Sequence, residues 1–325
     1  MSSPPLVFVG GTGRSGTHVV ADLLGHHSRF AAVPIECRFH CNPKGLADVV
    51  TGVATPDEFI AKLRRYWWHR VRMGGRATTR LRRLTGRRGG RVAGTDAKVR
   101  GLHKILPSER FEGAVAGFED SYADDLVGAA RGLFYDLLGP IADEQGKPAL
   151  VEMSCFTVAA AEGLGRIFPE AAFVHSVRDG RDSGSSKVSK RQKSHHPTDA
   201  ASGVEWWEGR LALAERGYRG LGEPSRLHVT CLDELVWGDR EATYERLLGF
   251  LRLDDEPGMR RFFEEEMNAD AAHRERWREG LSEAEQEAVS RRYAEALDRI
   301  EADGYHCAEP LRRNYERGRA GAPQP

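Results

Sequence analysis

Cysteine is scarce in this chain. Five are spread over 325 residues: Cys37, Cys41, Cys155, Cys231 and Cys307. An odd number at wide spacing does not close a disulfide framework, and Cys37 and Cys41 lack a second pair to complete a zinc site. Long apolar runs are missing too, since none approaches the ~20 residues that a membrane-spanning helix needs. No secretory leader precedes Leu6, so the expectation is a soluble cytoplasmic protein with reduced thiols. Neither sign of charge is in excess, with 48 Lys and Arg against 48 Asp and Glu. That balance argues against general binding to nucleic acid or to a membrane surface. There is no internal repeat. What is present is ample apolar content, 40% of the chain, enough for a sizeable core in one large domain or two small ones.

The chain is organised around Val7-Phe8-Val9-Gly10-Gly11-Thr12-Gly13-Arg14-Ser15-Gly16-Thr17-His18. The apolar run Leu6 to Val9 reads as a buried strand, and Val19, Val20, Leu23 and Leu24 begin a helical spacing. A glycine loop between a strand and a helix start is a phosphate cradle, because unpaired N–H groups point at the anion. Arg14, Ser15 and Thr17 add side-chain donors. A Mg-ATP loop of the kinase type ends in Gly-Lys-Ser/Thr. Here Gly16 is followed by Thr17 and His18, so the lysine and the magnesium-binding hydroxyl position are both lacking.

Ala31 to Ile35 reads as a second strand, ending in Glu36-Cys37-Arg38-Phe39-His40. Such strand ends hold ligands in open α/β sheets, although a mixed-charge surface turn reads the same way. Thr55-Pro56-Asp57-Glu58 starts a helix that runs to about Trp68. From Arg64 to Arg100 the chain is crowded with arginine, either a solvated insertion or a basic lid over an anionic ligand. Tyr66, Trp67 and Trp68 can stack on an acceptor or pack in the core. Apolar spacing over Ser121 to Leu138 predicts a helix. Ala149 to Val151 is a strand candidate leading into Glu152-Met153-Ser154, and a helix is expected from about Thr157 to Ile167.

Ala172 to Val177 is the next buried strand. It leads into Arg178-Asp179-Gly180-Arg181-Asp182-Ser183-Gly184-Ser185-Ser186-Lys187, a second junction rich in anion donors. Ser186 lies roughly two turns into the following helix at 3.6 residues per turn. Arg178 and Ser186 can therefore meet one phosphate if the helix packs back on the strand. Lys187 to His196 reads as a polar loop. Helices are expected over Ala201 to Gly217, Arg240 to Leu251 and Pro257 to Met267, with a strand at Arg226 to Thr230. Ser282 caps a further helix of about twenty residues. Together these predict one α/β domain over 1–310, with a P-loop-type, mostly parallel sheet flanked by helices. An inserted helical, Arg-rich subregion occupies about 45–148, and 311–325 is expected to be a disordered tail.

The two loops resemble the sulfotransferase superfamily that uses 3′-phosphoadenosine 5′-phosphosulfate (PAPS). Gly13 to Thr17 is similar to its 5′-phosphosulfate loop, and Val177 through Ser186 to its 3′-phosphate site. The Arg-Asp-Gly-Arg form is closest to tyrosylprotein sulfotransferases and their bacterial relatives. Leu232-Asp233-Glu234-Leu235-Val236 stands where the family often has Tyr-Glu-Asp-Leu-Val, and Arg276-Trp277-Arg278 resembles the element that closes over the cofactor. The likeness covers roughly 5–40 and 149–305.

The resemblance implies PAPS as cofactor, PAP as product and no metal. It implies that Gly13, Arg14, Ser15, Gly16, Thr17, His18, Arg178, Ser186 and Arg276 bind the cofactor. Glu36 would be the catalytic base, its pKa brought toward ambient pH by partial burial. Arg38 and Arg14 would stabilise developing charge. His40 is the alternative base. The family's lysine near Met153 is missing, and Ser154, Lys187 or Lys190 are the candidates to replace it. The acceptor would be a hydroxyl on a small molecule, glycan, natural product or peptide tyrosine, with no nucleic-acid partner; a homodimer is left open. Two other functions compete. A P-loop small-molecule kinase would need the missing lysine. A non-catalytic nucleotide or polyanion binder would make Glu36 dispensable.

Overall fold

The computed structural model describes residues 5–68, 101–189, 197–268 and 274–319. Among them five strands form one sheet in which every pairing is parallel. They are β1 (Leu6–Gly11), β2 (Phe30–Ala32), β3 (Ala149–Glu152), β4 (Ala172–Val177) and β5 (Leu227–Cys231), in the order β2-β3-β1-β4-β5. β1, β3 and β4 are near-continuous apolar runs because both faces of the sheet are covered. The pleat sorts β1 into two cores: Leu6 and Phe8 face one, Val7 and Val9 the other.

The first core takes the helices between β2 and β3. These are α2 (Leu46–Val50), α3 (Pro56–Lys62), α4 (Ser108–Ser121) and α5 (Leu126–Gln145), joined by α6 (Ala161–Ile167). The second core takes α1 (Thr17–Gly25), α9 (Leu232–Val236), α10 (Arg240–Leu251) and α11 (Pro257–Glu266). A third core joins Val177 to α8 (Ala200–Leu221), α12 (Glu283–Ala302) and α13 (Ala308–Arg319). α7 (Gly180–Val188) follows β4 directly.

The chain leaves β1 toward one edge and β3 toward the other, so neighbouring connections part over the carboxyl ends of these strands. That is where an open α/β sheet forms its ligand crevice. Gly11 N–H donates to the Cys155 carbonyl at 3.0 Å across this divide.

Several expected boundaries move. β2 stops at Ala32, two residues before Pro34, which has no N–H to continue a ladder. The helix expected over Ser121 to Leu138 begins only at Leu126 and runs on to Gln145, Ser121 being the last residue of α4. Asp125 breaks the run and caps α5 by accepting from Gly128 N–H at 2.9 Å. The helix expected from Thr157 begins only at Ala161, and Lys187 belongs to α7 rather than to a loop. The capped starts at Thr55 and Ser282 form as predicted, each with a reciprocal box to Glu58 or Glu285.

The disordered tail expected over 311–325 is corrected over 311–319, and 320–325 lie outside the described residues. Past Pro310 the chain is helical to Arg319. Leu311 and Tyr315 are spaced to share a face and are buried. Arg313 forks onto buried Glu234 with two 2.8 Å bonds, tying α13 to α9. The Arg-rich run beyond Trp68 lies outside the described residues, as does Lys190. No described helix is long and apolar enough to cross a membrane.

Candidate active site

The loop after β1 turns on three left-handed residues, Gly13 (φ 80°), Arg14 (φ 65°) and Gly16 (φ 83°). A β-carbon at Gly16 would come within 2.6 Å of the Leu232 side chain, so both backbone and space demand glycine. Ser176 Oγ donates to the Ser15 carbonyl at 2.5 Å and pins the turn to β4. Ser15 Oγ is buried without a hydrogen-bond partner. Such a hydroxyl is costly unless a ligand completes it. Thr17 is buried in the first turn of α1, whereas Arg14 and His18 are exposed. A strand-to-helix turn of this kind fits the phosphosulfate end of PAPS.

Beside the loop stands Glu36, only 7% exposed. Its Oε2 is bound by Arg38 Nη2. Cys155 Sγ donates to its Oε1 at 3.1 Å. Burial raises the Glu36 pKa, but the Arg38 charge, the Cys155 and Arg38 hydrogen bonds and His18 outweigh it and hold the carboxyl below its ordinary range. The expected rise toward ambient pH is therefore corrected. Burial and the neighbouring Glu36 push the Cys155 thiol up to about 12, so it stays protonated and can donate.

The turn carrying Glu36 is anchored by a residue that the sequence reading passed over. Glu152 ends β3 fully buried. It accepts from Ser154 N–H (2.9 Å), Ser154 Oγ (2.6 Å) and Cys37 N–H (3.4 Å). It also lies 2.8 Å from His40 Nε2. Ser154 Oγ in turn accepts from Arg38 N–H at 3.0 Å. The available signal was a carboxylate closing an otherwise apolar strand, which has to find partners.

This network removes two candidates. His40 is fully buried, stacked on Phe8 at 5.6 Å and edge-on to Phe134 at 5.5 Å, so no acceptor reaches it as a base. Ser154 is buried and spent on the turn, which leaves it unable to replace the family lysine. Trp67 is buried and Trp68 stacks on Phe111 at 4.2 Å, so these rings pack rather than receive an acceptor.

At the ends of β4 and β5 the charges differ. Arg178 lies 3.7 Å from Asp182 and 3.9 Å from Asp233. Burial pushes Asp182 up to about 6 and Asp233 up to about 7. Asp182 also accepts from Glu275 N–H (3.0 Å) and Trp277 N–H (3.2 Å), so it ties α7 to the 274–278 turn. Ser186 meets Arg14 instead of Arg178: Arg14 Nε donates to its Oγ at 2.8 Å. α7 therefore packs back toward the β1 loop, and Ser186 joins the two strand-to-helix junctions. Arg276 is more than half exposed, 3.6 Å from Glu279. A cavity of about 410 Å³ opens here, lined by Asp179, Asp182, Asp233, Trp237, Arg274 and Trp277 among others. It includes neither Arg276 nor the β1 loop.

The profile of the sulfotransferase family matches residues 5–257, well over half of the chain. The chain belongs to the sulfotransferase family. Among solved structures it is similar to the sulfotransferase domain of the Synechococcus PCC 7002 olefin synthase, at 15% identity and a TM-score of 0.48, covering 92% of this chain and 96% of that one. It is similar also to the sulfotransferase domain of the curacin biosynthetic pathway, at 14% identity and a TM-score of 0.43, covering 80% and 77%. A sulfotransferase from Mycobacterium tuberculosis matches at 14% identity and a TM-score of 0.44, covering 90% and 77%. No curated protein matches.

Proposed function

We propose that this protein transfers the sulfuryl group of PAPS to a hydroxyl acceptor, with Glu36 as the general base. PAPS supplies, when bound, an activated sulfuryl group joined to phosphate through a bridging oxygen. Family membership supports sulfuryl transfer. The observation that carries the finer reading is the position of Glu36. It is a buried carboxylate held ionised by Arg38, one thiol away from the phosphate-binding loop. Cys155 makes that link twice, through its carbonyl to Gly11 N–H and its thiol to Glu36.

Each residue then has a task. Gly13, Ser15, Gly16 and Thr17 hold the phosphosulfate through N–H groups and the unpartnered Ser15 hydroxyl. Arg14, steadied by Ser186, stabilises negative charge on the bridging oxygen. Glu36 takes the proton from the acceptor hydroxyl, and its lowered pKa keeps it available well into the acid range. Arg38 orients the carboxylate. His18 lies exposed at the start of α1, beside the same space. Arg178 is the cation for the 3′-phosphate, preset by Asp182 and Asp233, and Arg276 flanks the nucleotide from the 274–278 turn.

Calorimetric titration of the folded protein with PAP and PAPS tests this. Binding of both nucleotides is expected, followed by label transfer from PAPS to a hydroxyl acceptor. Failure of the folded protein to bind either nucleotide would overturn the proposal. Tight binding without transfer to any hydroxyl would instead indicate a nucleotide-binding protein.

A further inference from the structure

Two cations near Cys155 have no carboxylate within ion-pair distance among the described residues. Lys187 on α7 and Arg210 on α8 are both half-buried. The charges acting on Lys187 besides burial are those of Arg210, Cys155, Arg38 and Arg14. Those acting on Arg210 are Cys155 and Arg38. Burial first, and then the neighbouring cations, lower the pKa of both groups. A cleft lined by one sign of charge attracts the opposite charge in its ligand. The aromatic surroundings are equally specific. The Arg210 guanidinium lies 4.7 Å from the Phe156 ring and 5.7 Å from the Trp206 ring, and Lys187 Nζ lies 5.1 Å from Trp206. Both rings are partly exposed. A β-carbon at Gly13 would sit 3.9 Å from the Trp206 indole and 3.8 Å from Cys155 Sγ, which is itself 3.1 Å from Glu36. The platform thus adjoins both the base and the phosphate loop.

We propose that Phe156, Trp206, Lys187 and Arg210 form an acceptor subsite for a flat-ringed hydroxyl compound that carries a carboxylate. The proposal rests on the reading of Glu36 as base and of the β1 loop as donor site. The rings take the face of the acceptor. The Arg210 fork and the Lys187 point charge take its carboxylate, leaving the hydroxyl to Glu36. The competing occupant is an anionic group of the nucleotide itself, and the experiment separates the two.

PAP-loaded protein is titrated with para-hydroxyphenylacetate and with para-hydroxyphenylacetamide, its neutral counterpart. The acid is expected to bind at least about tenfold more tightly than the amide. In Arg210→Gln that preference should fall below about threefold, and in Arg210→Lys, which keeps the charge, it should survive in part. PAP affinity should stay within about twofold in both variants. Equal affinity for acid and amide, or no binding of either, would overturn the subsite. So would a tenfold or larger loss of PAP affinity in Arg210→Gln, which would give the cations to the nucleotide. Failure of wild type to bind PAP at all would overturn the parent reading, and this one with it, before any acceptor is added.

Discussion

The two ends of the sheet's carboxyl edge are built on opposite electrostatic plans. At the ends of β4 and β5, Arg178 is surrounded by its own carboxylates, Asp182 and Asp233, within a buried cluster. Past the end of β2, Arg38 engages Glu36, and the half-buried cations Lys187 and Arg210 each feel the charge of Arg38. The first arrangement presets a cation and holds its place in the fold. The second sets cations beside one another. Within one protein, a cation ringed by carboxylates is fixed in place by the fold, whereas cations grouped with one another repel and favour an anionic ligand between them.

The strongest way to break this contrast is at Glu36. Glu36→Gln keeps the shape and removes the base. Label transfer from PAPS is expected to fall at least about 100-fold, while PAP affinity by calorimetry stays near wild type. Loss of PAP binding in step with activity would make Glu36 part of the nucleotide site instead. Gly16→Ala comes next. The left-handed backbone and the Leu232 contact together should cost about 1–3 kcal/mol in denaturant unfolding. Adding Leu232→Ala should recover the steric share and leave the backbone share.

Arg178→Ala should weaken PAP binding by about tenfold or more, a loss of ~1.4 kcal/mol. The same change strips Asp182 and Asp233 of their cation, so their carboxyls should move further up, read by the pH dependence of unfolding. Asp233 itself gives a smaller, signed effect. Its folded pKa, about 7, lies above the ordinary carboxylate value of 3.8. The stability that it contributes is full below about pH 4 and is lost as pH rises through about 7. Asp233→Asn should flatten that decline, seen as a smaller fall in Tm across the interval. The least of the expected effects is at Cys155. Cys155→Ala removes one donor from Glu36, worth about 1 kcal/mol. The acid limb of the pH–rate profile should shift upward by less than about one unit. An unchanged limb would mean that Arg38 alone sets the carboxylate.

Much of the fold was legible because its signals are local. The buried runs of β1, β3 and β4 need two covered faces wherever they occur, and the Thr55 and Ser282 boxes are written within four residues. The glycine loop was readable for the same reason, since positive φ at Gly13 and Gly16 is a demand on the residue itself. What misled was non-local. The tail looked polar and free, yet Leu311 and Tyr315 are buried in the third core and Arg313 pairs with Glu234 of α9. His40 looked like a base because its exposure is set by Phe8 and Phe134, which come from β1 and α5.

By itself the sequence determined the parallel α/β sheet, the two donor-rich strand-to-helix junctions and a glutamate just beyond the second strand, because each follows from residues within one or two turns of one another. Only the tertiary structure decided the partners. It set Ser186 on Arg14, Arg178 among carboxylates, Glu152 beneath the Glu36 turn and Cys155 against Glu36. These pairings join residues about 115 or more positions apart, or depend on burial, and a charge or a hydroxyl has no fixed role until packing has chosen what stands opposite it.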